Sequence, residues 1–139
     1  MLSKRKKTPL PRILIIGSDE RVVWPLAYRL SEIGFEVFAE ADGEGGFAAA
    51  LTLRPDVVLL DAKLTGRDGY AICSMLRAKS KLARTPVIML TGRGAPRAAA
   101  RAQAAGADDS IARPIDERAL LAKMEQVLNR RVRALAATA

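Results

Sequence analysis

Four points in the chain carry groups that could handle a phosphoryl group. Gly17-Ser18-Asp19-Glu20 offers two acids, Asp61 a single carboxylate, Thr91 a hydroxyl next to Gly92, and Arg113-Pro114 a cation. A carboxylate oxygen can act as a nucleophile. A hydroxyl can hydrogen-bond a transferred group, and a guanidinium can balance the new negative charge. Taken singly, each has an ordinary role: a helix cap, a loop acid, a strand-end hydroxyl, a solvated arginine. Their shared position draws attention, because each directly follows a short segment that reads as a β-strand.

Three of those segments are continuous apolar runs: Ile13-Leu14-Ile15-Ile16, Val57-Val58-Leu59-Leu60 and Val87-Ile88-Met89-Leu90. Such runs are expected of strands buried on both faces of a parallel sheet. Phe35 to Glu40 alternates, with Phe35, Val37 and Ala39 on one side and Glu36, Phe38 and Glu40 on the other, as an edge strand would. Ser110-Ile111-Ala112 is a short fifth candidate. Helical spacing fills the intervals. Val23, Leu26, Ala27, Leu30 and Ile33 keep one face ahead of Gly34. Phe47, Ala50 and Leu51 keep another, stopped by Arg54-Pro55. Ile72, Met75 and Leu76 mark a third, a fourth is expected from near Pro96 to Gly106, and Leu121, Met124 and Leu128 mark the last, capped by Asp116. Pro25 falls inside the first pattern, so that helix either bends there or starts late, near Trp24. A strand-helix unit repeated five times predicts an α/β fold, an open parallel sheet wound with helices on both faces. In such sheets, sites form at the carboxyl ends of the strands. The strand-end groups would then meet in one cleft.

Composition narrows the chemistry. The chain has 139 residues, enough for one domain. Its segments read as a basic tail over 1–11, a domain over 12–133 and a frayed end over 134–139. No histidine is present, which excludes a His-Asp triad, an HExxH zinc site and a phosphohistidine on this chain. The single cysteine, Cys73, excludes an internal disulfide, and a cytoplasmic location is expected. Cys73 and Met75 read as core packing. No apolar run reaches the roughly 18 residues needed to span a bilayer. The first strand-helix turn lacks a GxGxxG or phosphate loop, so an oxidoreductase reading is remote and no enzymatic activity is expected. Net charge is +8, which would favour an acidic partner protein. Nucleic acid is a weaker alternative, since aromatic residues make up only 4%.

The segments 12–16 (Arg-Ile-Leu-Ile-Ile), 57–61 (Val-Val-Leu-Leu-Asp), 66–70 (Gly-Arg-Asp-Gly-Tyr), 86–91 (Pro-Val-Ile-Met-Leu-Thr) and 106–114 (Gly-Ala-Asp-Asp-Ser-Ile-Ala-Arg-Pro) carry a resemblance. In order and spacing, over residues 12 to 130, the chain resembles the response-regulator receiver domain of two-component signalling. The resemblance implies a doubly wound, flavodoxin-like (βα)5 sheet of strand order 2-1-3-4-5. It implies Asp61 as phosphoacceptor, Thr91 and residue 113 at the phosphate, and Mg²⁺ as cofactor. A histidine kinase or phosphotransfer protein would be the donor, and a face of helix four, strand five and helix five would serve for dimerisation or partner contact.

The sequence also departs from that family. Its acidic pair, which holds Mg²⁺, aligns with Gly17 and Ser18, neither of them a carboxylate. Asp19 follows close behind and is an alternative metal ligand beside Asp61, or else simply a helix cap. Lysine is usual where Arg113 stands, and the peptide bond to the following proline is cis in the family. Arg113 is expected to reach Asp61 and partly replace the missing cation. Serine at 110 replaces the family's switch aromatic, and Thr65 stands where proline is common. Arg93, Arg97 and Arg101 recur at i, i+4, i+8 and predict a basic stripe along the fourth helix, with Arg118, Lys123, Arg130, Arg131 and Arg133 on or after the fifth. The resulting expectation is a stand-alone receiver-like signalling domain with a degenerate Mg²⁺ site and weak or absent phosphorylation. The alternatives are a fully phosphorylatable receiver that uses Asp19 and a basic nucleic-acid-binding module.

Overall fold

The structure is a computed structural model that describes the backbone of residues 10–138 and the side chains of residues 10–130. The basic run Lys4 to Lys7 and the side chains of Arg131 and Arg133 lie outside the described residues. Ten elements alternate: β1 (Arg12–Ile16), α1 (Glu20–Ile33), β2 (Glu36–Glu40), α2 (Gly43–Leu53), β3 (Val57–Asp61), α3 (Gly69–Ala78), β4 (Val87–Thr91), α4 (Ala98–Ala105), β5 (Asp109–Ala112) and α5 (Glu117–Thr138). α5 is the longest of the ten and its backbone stays helical to Thr138. All sheet pairings are parallel and the strand order is β2-β1-β3-β4-β5.

The continuous apolar runs are buried on both faces, as their composition requires. Leu14, Ile16, Val58, Leu60 and Met89 point into the core beneath α2, α3 and α4. Ile13, Ile15, Val57, Leu59, Ile88 and Leu90 point the other way, against α1 and α5. Each such side chain contributes about 1.5–3 kcal/mol on burial, so the three central strands anchor the molecule. β2 lies at the edge and is only partly covered: Val37 packs on one face of the sheet and Phe38 on the other, while Ala39 is exposed, so its burial does not follow the alternation of its sequence.

Helix boundaries follow local chemistry. Asp19, Asp42 and Asp68 each cap a helix by accepting from a backbone amide of the first turn. Asp116 accepts from the Ala119 amide (3.0 Å) ahead of α5. Gly34 and Gly106 end α1 and α4 at positive φ. α1 runs through Pro25 rather than starting late. Proline has no amide hydrogen, so the Arg21 carbonyl one turn back lacks its helical donor there. Side-chain burial along Val23 and Leu30 holds the helix together across that gap.

One expectation is overturned. The fourth helix begins at Ala98 and not near Pro96. Gly94 and Arg97 both have positive φ (65° and 53°), and the ring of Pro96 disfavours helical backbone at Ala95. Arg93 and Arg97 therefore sit on the loop before α4, and only Arg101 lies on the helix. The three arginines are exposed but do not form a stripe along one helix.

Candidate functional site

The chain leaves β1 for the edge strand β2 and returns to β3 on the other side of β1. The carboxyl ends of β1 and β3 therefore open at a topological switch point. Asp61 ends β3 there and is 3% exposed. Its Oδ1 accepts from the Lys63 amide (3.0 Å). Its Oδ2 accepts from Nη2 of Arg113 in an ion pair. Arg113 is placed by the strand end: its amide donates to the Thr91 carbonyl (2.9 Å), just past β5, and the Arg113-Pro114 peptide bond is cis. Among the described residues, Arg113 Nε is the buried side-chain nitrogen that lacks an acceptor.

Gly17 continues β1, its amide donating to the Glu40 carbonyl (2.9 Å). A Cβ on Gly17 would stand 3.6 Å from the Asp61 Cβ and 2.9 Å from Cγ2 of Val23. Position 17 thus faces the Asp61 carboxylate, and glycine leaves that place without a donor. Asp19 caps α1, and its Oδ1 accepts from the Arg21 amide (3.0 Å) and from Arg21 Nε (3.3 Å). Asp19 also opens onto the same cleft. A cavity of about 450 Å³ is lined by Ser18, Asp19, Asp61, Lys63, Thr65 and Arg113.

Thr91 is adjacent to this cleft but is not part of its wall. It is 3% exposed, and its hydroxyl donates to the Ile111 carbonyl (3.3 Å). It borders a second cavity, of about 380 Å³, together with Gly92, Gly94 and Arg97. Ser110, in the position expected of an aromatic, is half-buried on β5. The close approach of α3 to Asp61 is made possible by Gly69, where a Cβ would lie 2.0 Å from the Asp61 carbonyl oxygen.

Burial pushes the Asp61 carboxyl above its usual range, and the Asp19 charge pushes in the same direction. The Lys63 amide and the Arg113 guanidinium pull against them. Asp19 is held below its usual range, first by its hydrogen bond to the Arg21 side chain and then by the Arg21 amide. Cys73 is buried on α3 and its thiol is pushed up to about 11 by that burial, as expected of core packing. Sequence reasoning missed Lys63, whose main-chain amide holds Asp61. A backbone donor leaves no trace in residue type. It also missed Arg77, which has no motif: its guanidinium donates to the carbonyls of Gly106 (2.7 Å), Leu82 (3.2 Å) and Thr85 (2.6 Å) and to the carboxylate of Asp108 (2.8 Å).

The donors at the cleft bear on Mg²⁺. The ion is hard and demands near-octahedral oxygen ligation. Here one Asp61 oxygen is taken by Arg113 and one Asp19 oxygen by Arg21. Among the described residues, no group of three or more His, Cys, Asp or Glu side chains is placed to hold a metal ion. Asp19 and Asp61 are the two carboxylates that line this cleft.

A family model described as the response regulator receiver domain matches residues 13–125. The chain belongs to that family. Receiver domains are the signalling modules of two-component systems; they typically bind Mg²⁺, and they interact with histidine kinases or phosphotransfer proteins. The chain is similar to the DNA-binding dual master transcriptional regulator RpaA of Synechocystis sp., with 36% identity over 121 residues, covering 87% of this chain and 50% of that protein. It is similar to the phosphate regulon transcriptional regulatory protein PhoB of Rhizobium meliloti, at 34% identity, covering 87% of this chain and 53% of that protein. The chain thus spans about half the length of the curated relatives it matches. Among solved structures, a putative response regulator from Chloroflexus aurantiacus superposes with a TM-score of 0.84 at 30% identity, covering 87% of this receiver and 99% of that chain. The Vibrio cholerae chemotaxis protein CheY4 superposes with a TM-score of 0.79 at 25% identity, covering 86% of this receiver and 99% of that chain. The fold expected from the five strand-helix units, order 2-1-3-4-5, is the fold observed. No helix among the described residues is long and apolar enough to cross a membrane.

Proposed function

We propose that this receiver acts by protein-protein contact, with Asp61 in the phosphoacceptor position and Thr91 and Arg113 beside it, and that it takes up phosphoryl groups slowly or not at all. The ion pair between Asp61 and Arg113 carries the reading. Phosphoryl transfer to a carboxylate needs a free oxygen as nucleophile and a cation that neutralises the incoming charge. Arg113 lies on the nucleophile itself and stabilises the unmodified anion. Gly17 and Ser18 add no carboxylate that would bring a metal to its side. A histidine kinase or phosphotransfer protein is the upstream partner in this reading. The downstream partner in this reading is an acidic protein that meets Arg93, Arg97 and Arg101, and a homodimer would form through the face of α4, β5 and α5.

Intact-mass measurement after incubation with acetyl phosphate and Mg²⁺ tests it, with a competent receiver run in parallel. The expected result is little or no species heavier by about 80 Da, the mass of an added phosphoryl group. Rapid, stoichiometric labelling of Asp61 would overturn the reading. A second reading, a phosphorylatable receiver, is favoured by one observation: Asp19 opens onto the same cavity as Asp61. It predicts labelling that Asp19→Asn removes.

A further inference from the structure

A larger cavity, of about 610 Å³, adjoins the Asp61 cleft between α3 and the loop that leads into α4. It shares Lys63 and Leu64 with that cleft, but Asp61 is not in its wall. Small apolar side chains, Ala62, Leu64 and Ala95, form part of its wall, and three cations line it as well: Lys63, Arg67 and Arg101. The guanidinium of Arg101 lies over the Tyr70 ring, 4.1 Å from the ring centroid. Arg101 also makes an exposed ion pair with Asp68 (3.6 Å). Asp68 is the single acid in the wall, and its other oxygen already accepts from the Tyr70 amide (2.8 Å).

We propose that this cavity binds a nucleoside phosphate. A planar base needs a flat, polarisable platform, and the guanidinium of Arg101, held against Tyr70, presents its opposite face as one. Phosphates need separated cations, and Lys63 and Arg67 supply them. The Lys63 ammonium makes no ion pair among the described residues. Arg67 reaches Glu44 (3.1 Å) in an exposed pair, which stabilises little and which a phosphate can displace. The apolar wall residues Ala62, Leu64 and Ala95 suit the ribose, and the volume falls within the ordinary range for small-ligand sites. The loop that carries Lys63 also holds Asp61 through its amide, so the ligand would touch the segment that positions the phosphoacceptor. This inference does not depend on whether Asp61 is modified.

Calorimetric titration of the full chain with AMP, GMP, ATP and GTP tests the proposal, with adenosine, inorganic phosphate and pyrophosphate as controls. The expected result is saturable 1:1 binding of at least one nucleotide, tighter than adenosine and tighter than pyrophosphate. Arg101→Ala and Arg101→Lys should each weaken it roughly tenfold, because lysine keeps the charge but not the plane. Lys63→Ala with Arg67→Ala should weaken it and flatten its salt dependence. Ala95→Trp, on an exposed loop at the cavity wall, should abolish it by occupying the space the ligand needs, and melting curves of each variant report retained folding. Absence of binding at nucleotide concentrations on the order of 1 mM would overturn the proposal. Pyrophosphate binding as tightly as the nucleotide, or Arg101→Ala binding unchanged, would overturn it equally.

Discussion

Asp61 shows how one side chain is pulled in two directions. Burial disfavours its charge, while Arg113 and the Lys63 amide favour it, and burial is the larger effect. An acid whose folded pKa is raised stabilises the fold most when protonated. That contribution is present below the unfolded carboxylate value and is lost as pH rises through the folded value. Asp61→Asn should therefore gain stability over the wild type as pH rises from strongly acidic to neutral. Urea unfolding across that pH range checks it, and a constant difference between the two proteins would contradict it. Asp19 has the opposite sign. Its lowered pKa favours the fold above the unfolded value and the contribution fades in stronger acid. Gly17 makes a second residue-scale prediction. An aspartate there would face Asp61 but press on Val23, so Gly17→Asp should cost about 1–3 kcal/mol in stability. The triple variant Gly17→Asp, Ser18→Asp, Arg113→Lys should gain Mg²⁺-dependent labelling by acetyl phosphate, read by intact mass. No gain over the wild type would mean that these three positions do not limit the reaction.

Among the elements, α3 and the loops beyond it depend on Arg77. Its guanidinium closes the α3–β4 loop through Leu82 and Thr85, and the α4–β5 turn through Gly106 and Asp108. Asp108 in turn accepts from the Val87 amide (2.8 Å), which starts β4. Removing the guanidinium would leave several part-buried acceptors unpaired. Arg77→Met should lower the unfolding free energy by about 2–4 kcal/mol, with Arg77→Lys recovering only part of the loss. Chemical denaturation measures both. Element type was legible from sequence because burial on two faces demands continuous apolar strands, and burial of one face of a helix demands helical spacing. The start of α4 was not legible. A proline suits the first turn of a helix, but here it stands in a turn between two residues of positive φ, and that backbone choice is made by the loop's neighbours.

On the scale of the whole molecule, charge is the main lever. Net charge is +8, and Arg93, Arg97 and Arg101 are exposed near the carboxyl edge of β4. Such a surface steers an acidic partner and loses its reach as salt screens it. Replacing all three arginines with glutamine should slow association with an acidic partner protein by roughly tenfold at low salt and reduce the salt dependence. Surface plasmon resonance over a salt series would show it, and an unchanged slope would place the contact elsewhere.

The sequence by itself determined the five strand-helix units, the absence of histidine chemistry, and the place of Asp61 at the end of a buried strand. Each depends on residue type and on neighbours close in the chain. The sequence offered a contact between Arg113 and Asp61, 52 residues apart, as an expectation, and the tertiary structure supplied it. Only the tertiary structure decided that Thr91 turns to Ile111, that Arg101 stacks on Tyr70, and that Asp19 fills both of its expected places, capping α1 and opening onto the cleft. Side-chain partners across a sheet are chosen by register, rotamer and local packing, and these exist only once separate strands have been brought together.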